Sequence, residues 1–126
     1  MSTTTIFLLS TLRCVVGVSF LAAPTHIAQI LSVTPSPPAL WIGRAGGARD
    51  IAFGAALLAA KSPAMKQNVL VVGAVSDVLD IIAVTAFCAT GHIDGYPAAA
   101  LGSGSLLFLV LGLIGLRGLR LAPVSL

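Results

Sequence analysis

Six ionisable side chains fall inside stretches that are otherwise almost wholly apolar: Arg13, Arg44, Arg49, Asp50, Asp77 and Asp80. Three positive and three negative groups make a formally neutral set, which predicts that they pair with one another. Each costs about 2.5–3.5 kcal/mol on membrane-insertion scales, so the set is retained only if its members face one another or water inside a bundle. A charge near a helix end can snorkel to the interface. Arg13, Arg49, Asp50 and Asp77 stand too near the middle of their stretches for that.

Asp77 and Asp80 are spaced to project from one face of a helix. Two carboxylates sharing a low-dielectric site cannot both stay ionised cheaply, which separates an acid from a base. The ionised one can take a proton from water, and the protonated one, or an arginine, can stabilise an oxygen developing negative charge. The plainer alternative is an ion-pair network that only fixes helix register. Buried pairs are poor stabilisers, however, and intramembrane charges mark function by default.

Other chemistry is thinly represented. His26 and His92 fall at the ends of apolar stretches, where capping or interfacial roles suit them better than metal ligation, because no spacing supplies a third ligand. There is no Gly-x-Ser-x-Gly elbow, phosphate-binding loop or redox-spaced cysteine pair. Neither a metal nor an organic cofactor is expected. Cys14 and Cys88 belong to different depths, beyond disulfide reach, and read as free thiols.

The elements that must position the charges follow from composition. Of 126 residues, 57% are hydrophobic and 9% charged, against about 25% charged in soluble domains, so lipid is the expected solvent. Uninterrupted apolar runs predict helices over 4–23, 39–60, 67–89 and 98–118. The expected fold is all-α, an integral membrane four-helix bundle forming one domain over 1–126. Met1 to Thr5 carry no positive side chain and Arg13 interrupts the first apolar run, so that run reads as a retained helix rather than a signal peptide. Between Pro24 and Pro38 a loop is expected, with Pro35, Pro37 and Pro38 as helix stops. Lys61 to Lys66 form a tight basic turn, and Gly91 to Pro97 a loop without Lys or Arg. With Lys61, Lys66 and Arg120 on one side, both termini are expected to be cytoplasmic.

Gly43 and Gly47 form a small-xxx-small step in the second helix, and Gly112, Gly115 and Gly118 recur in the fourth; both suit close helix packing. Whether the second helix unwinds near Gly46-Gly47 is left open. The fourth helix, without an ionisable group in its span, is assigned to scaffold or to a homodimer contact. No basic run suits a nucleic-acid backbone, so nucleic acid is not an expected partner.

The segment Gly43-Arg44-Ala45-Gly46-Gly47-Ala48-Arg49-Asp50, followed by Gly54 and by Ser76-Asp77-Val78-Leu79-Asp80, resembles a family of small fungal four-helix membrane proteins. That family includes epoxide hydrolases of aurovertin- and citreoviridin-type polyketide pathways, and the resemblance covers most of the chain. It implies a hydrolase or cyclase of secondary metabolism that acts on a lipophilic natural-product epoxide admitted from membrane lipid. Asp77 or Asp80 would be the base and Asp50 the acid. Arg44 and Arg49 would orient carboxylates or stabilise the oxyanion, with Arg13 closing the charge balance. The endoplasmic reticulum or another endomembrane is the expected location. Two competitors remain: a proton-coupled small carrier or channel, in which the same aspartates relay protons, and a non-catalytic membrane scaffold.

Overall fold

A computed structural model describes residues 2–121. Met1 and residues 122–126 lie outside the described residues, and the expected cytoplasmic placing of the termini concerns them. The described chain is all-helical: α1 Ser2–Ala22, α2 Pro24–Ile30, α3 Pro37–Ala59, α4 Pro63–Ala89 and α5 Gly95–Leu121.

The long helices begin earlier than the apolar runs suggest, for a local reason. Ser36 is extended, its hydroxyl accepts the Ala39 N–H at 3.4 Å, and Pro37 and Pro38 occupy the first helical positions. Ser62 does the same for Met65 N–H at 3.2 Å, with Pro63 following. Proline is at home there, because its missing N–H has no intrahelical partner to lose. Pro37 and Pro38, expected as stops, are therefore starts. Pro24 likewise opens α2, a short helix inside what was expected to be loop. α3 runs unbroken through Gly46-Gly47.

α1, α4 and α5 are each long and apolar enough to cross a membrane. α3 matches them in length, but carries Arg44, Arg49 and Asp50. The exterior is apolar, with Phe7, Val15, Trp41, Ile82 and Leu113 among the large side chains exposed. The most deeply buried side chains are polar, Asp77 and Ser10. A surface of this kind is suited to lipid.

α1 packs most extensively on α3 and α4 on α5, while α3 and α4 meet only sparsely. Close approach of α1 to α3 depends on glycine. A Cβ at Gly17 would lie 2.5 Å from the Gly47 carbonyl oxygen, and one at Gly54 would lie 2.8 Å from that of Ser10. Of the expected small-residue step, Gly47 is at this contact, whereas Gly43 meets Phe20 at an ordinary 3.4 Å. Gly115 of α5 faces Ile6 and Leu70. The apolar core of Ile6, Leu9, Leu57, Leu70, Phe108 and Leu116 fills the end of the bundle nearest the start of α1, below the layer that holds the charges.

Candidate functional site

Arg13 is the centre of the charged layer. It lies mid-way along α1 and is 3% exposed. Nη1 donates to Asp50 Oδ1 of α3 at 2.9 Å, and Nη2 donates to Asp77 Oδ2 of α4 at 2.5 Å. The guanidinium carbon stands 4.5 Å from the Phe108 ring centroid and 5.5 Å from that of Phe53. One cation is thus neutralised from two helices and flanked by rings from α3 and α5, a setting where desolvated cation–π attraction is strong.

Arg49 makes the second centre. Its Nη1 and Nη2 donate to Asp80 Oδ1 and Oδ2 at 3.0 and 2.7 Å, a bidentate pair. Nη2 also lies 3.7 Å from Asp50 Oδ1, so Asp50 is shared by both arginines. The groups form one chain, Asp77–Arg13–Asp50–Arg49–Asp80, which leaves α4, crosses α1 and α3, and returns to α4.

The sequence-based pairing of opposite charges therefore holds for Arg13, Arg49, Asp50, Asp77 and Asp80. Asp77 and Asp80 share a side of α4, as their spacing predicts, but each is held by a different arginine. Arg44 is not part of the network: it is exposed on α3 and makes no ion pair among the described residues. The reason is helical phase, since α3 is regular and residues 44 and 49 lie about 140° apart around it.

Three contributors are invisible to a search for ionisable groups. Phe53 and Phe108 supply the rings, so α5 does more than brace the bundle. Gly73 leaves the space that the Arg13 guanidinium fills. Its signal in the sequence is a glycine one helical turn before Asp77 on the same face.

Two buried polar atoms, Asp77 Oδ1 and Arg49 Nε, have no hydrogen-bond partner among the described residues. One is an acceptor and the other a donor, and each marks a place where a water or substrate oxygen would be satisfied. Arg49 and Asp80 are each 33% exposed, at the seam where α3 and α4 meet sparsely. That seam is where the network is most exposed. Two hollows lie elsewhere. A groove of about 370 Å³ between α4 and α5 is lined only by apolar side chains, including Val75, Val78 and Leu113. A cleft of about 340 Å³ lies between the α2–α3 and α4–α5 loops, where Ser36, His92 and Asp94 meet. His92 Nδ1 is 2.8 Å from Thr90 Oγ1, a local contact beyond the helix end. Cys14 and Cys88 are free thiols.

Comparison of the chain with protein-family models, with curated proteins and with solved structures finds no match.

Proposed function

We propose that the protein is a membrane-embedded epoxide hydrolase or cyclase acting on a lipophilic natural-product epoxide, a member of the fungal membrane family that its charged motifs resemble. The observation that carries this reading is Asp77: Arg13 fixes one carboxylate oxygen, while the other is buried and unpartnered. Such a group is positioned as a base, because a water donating to Oδ1 would be oriented and isolated from bulk solvent. The water oxygen attacks an epoxide carbon, its proton passes to Asp77, and the carbon–oxygen bond breaks. Asp50 or the Arg49 guanidinium meets the oxygen as its charge develops, and a proton from Asp50 completes the diol. An internal hydroxyl attacking in place of water gives a cyclic ether. The open seam between α3 and α4 suits a substrate arriving sideways from lipid.

In this proposal α1, α3, α4 and α5 all span the bilayer, with both termini cytoplasmic and an endomembrane as the site of action. α3 would cross despite its charges because two of the three face partners inside the bundle. The decisive experiment is turnover of lipophilic epoxides by the protein in lipid nanodiscs in oxygen-18 water. Label should enter the diol, and Asp77→Asn should abolish it. A broad epoxide panel left intact by wild-type protein would sink the proposal.

A second reading has its own support. Each of the three carboxylates already has a guanidinium partner, which also suits a network that only fixes helix register. The same chain of carboxylates and guanidiniums suits a proton relay in a small carrier. Proton flux into liposomes separates the carrier from both alternatives.

A further inference from the structure

Two guanidiniums, Arg13 and Arg49, hold three carboxylates, Asp50, Asp77 and Asp80. The third arginine, Arg44, faces outward from α3 without an ion pair among the described residues. With all three aspartates ionised, one formal negative charge is uncompensated inside the bundle, and one positive charge stands on its surface. An arginine facing lipid at this depth is costly. In that state the six groups balance when Arg44 reaches a carboxylate, and the regular helix turns it away from its own chain's network.

We propose that α3 is the interface of a parallel, two-fold dimer in which Arg44 of each copy completes the charge balance at its partner's Asp80. Depth allows it. Arg44 is about 10 Å from the Pro37 end of α3 and Asp80 about 14 Å from the Ala89 end of α4 at helical rise. These two ends lie at the same end of the bundle, because a short turn joins α3 to α4. A parallel dimer preserves depth, so the groups stay level. Symmetry allows it too: a two-fold axis along the outer face of α3 sets the flank bearing Arg44 opposite the partner's flank bearing Arg49 and α4.

The outer face suits this contact. Trp41, Ala45, Ala48, Ala52, Ala56 and Ala59 recur along it and all are exposed. Alanines at this spacing let two helices approach closely where lipid supplies no hydrophobic drive. Asp80 and Arg49 retain 33% exposure on the adjoining flank, which leaves room for a second guanidinium. The expected dimer contact through the fourth helix has no comparable charge to satisfy. The α3 contact rests on charge balance in the fully ionised network, and not on substrate turnover.

The test uses the full chain in lipid nanodiscs and in mild detergent, with Cys14→Ala and Cys88→Ser removing the native thiols. Ala52→Cys should then cross-link as a dimer on oxidation, while Leu113→Cys on exposed α5 should stay monomeric. In the native background Arg44→Gln should weaken association at least about tenfold, with Arg44→Lys retaining part of it. Both positions are exposed, and an unchanged melting temperature confirms folding. Monomer on oxidation of Ala52→Cys, or cross-linking through Leu113→Cys instead, overturns the interface. An unchanged dissociation constant for Arg44→Gln overturns the partner arginine and leaves Arg44 snorkelling to the lipid headgroups. None of these readouts depends on epoxide turnover.

Discussion

Gly73 faces the Arg13 guanidinium so closely that a Cβ at that position would lie 3.3 Å from Nη2. Nη2 is the nitrogen that donates to Asp77, so any side chain at residue 73 presses on the ion pair itself. Gly73→Ala requires a few tenths of an ångström of give and should be tolerated. Gly73→Val should cost about 1–3 kcal/mol through overpacking and should slow turnover as well. Melting temperature in detergent, read beside activity, checks both. A silent valine would mean that Arg13 is free to move.

Arg13 neutralises carboxylates from two helices, and its removal strands Asp77 and leaves Asp50 only the 3.7 Å contact to Arg49. Arg13→Met should lower stability by about 3–5 kcal/mol, since it leaves buried charge without a partner. Adding Asp50→Asn and Asp77→Asn to that variant should recover much of the loss, because groups in one network are not additive. Denaturant unfolding of wild type, Arg13→Met, the Asp50→Asn/Asp77→Asn double variant and the triple variant provides the comparison. Strictly additive losses would show that the three residues act independently.

Asp77 and Asp80 should separate functionally. If Asp77 is the base as proposed, Asp77→Asn preserves shape and removes it, so the rate should fall by about two to four orders of magnitude. Asp80→Asn, at the half-open seam, should act mainly on apparent substrate affinity. Steady-state kinetics with a lipophilic epoxide distinguish the two. Equal and small effects in folded proteins would make both carboxylates structural.

The glycines of α3 should divide by contact rather than by sequence. Gly47→Leu should cost several degrees in melting temperature, because even a Cβ there would sit 2.7 Å from the Gly17 carbonyl oxygen. Gly46→Ala, with open space within 4 Å, should instead stabilise the protein, by up to about 1 kcal/mol of helix propensity. Thermal scans of the two variants check the α1–α3 crossing.

Topology has its own measurement. With the native cysteines replaced, Ser36→Cys and Ser62→Cys precede and follow the ends of α3 and should label from opposite sides of the membrane. Labelling of both from one side would show that α3 does not cross.

Much of the architecture was legible because lipid demands long apolar runs, and these are visible without knowledge of tertiary contacts. Each long helix lies within a few residues of its expected range. The misses came from local chemistry: Ser36-Pro37-Pro38 and Ser62-Pro63 look like interruptions until the serine is read as a cap and the proline as a first turn. Five of the six charges meet as their balance predicts. Arg44 does not, because charge counting carries no angular information and a regular α3 points it outward. Phe108 and Gly73 could not be reached by reasoning from ionisable groups, since one contributes a ring face and the other an absence of side chain.

The long helix with the poorest claim to lipid is also the one that α1 holds most extensively. That pairing bears on how the chain is made. Synthesis delivers α1 first, carrying Arg13 alone; α3 follows with Asp50, and the glycine-lined crossing would let the two close on each other before α4 is complete. Together they would leave the translocon as a hairpin whose central charge is already answered, where α3 alone would carry its charges unanswered. On this view Gly17, Gly47 and Gly54 serve biogenesis before they serve the finished bundle. A variant that crowds this contact, such as Gly47→Leu, would then be made in lower yield as well as melting earlier.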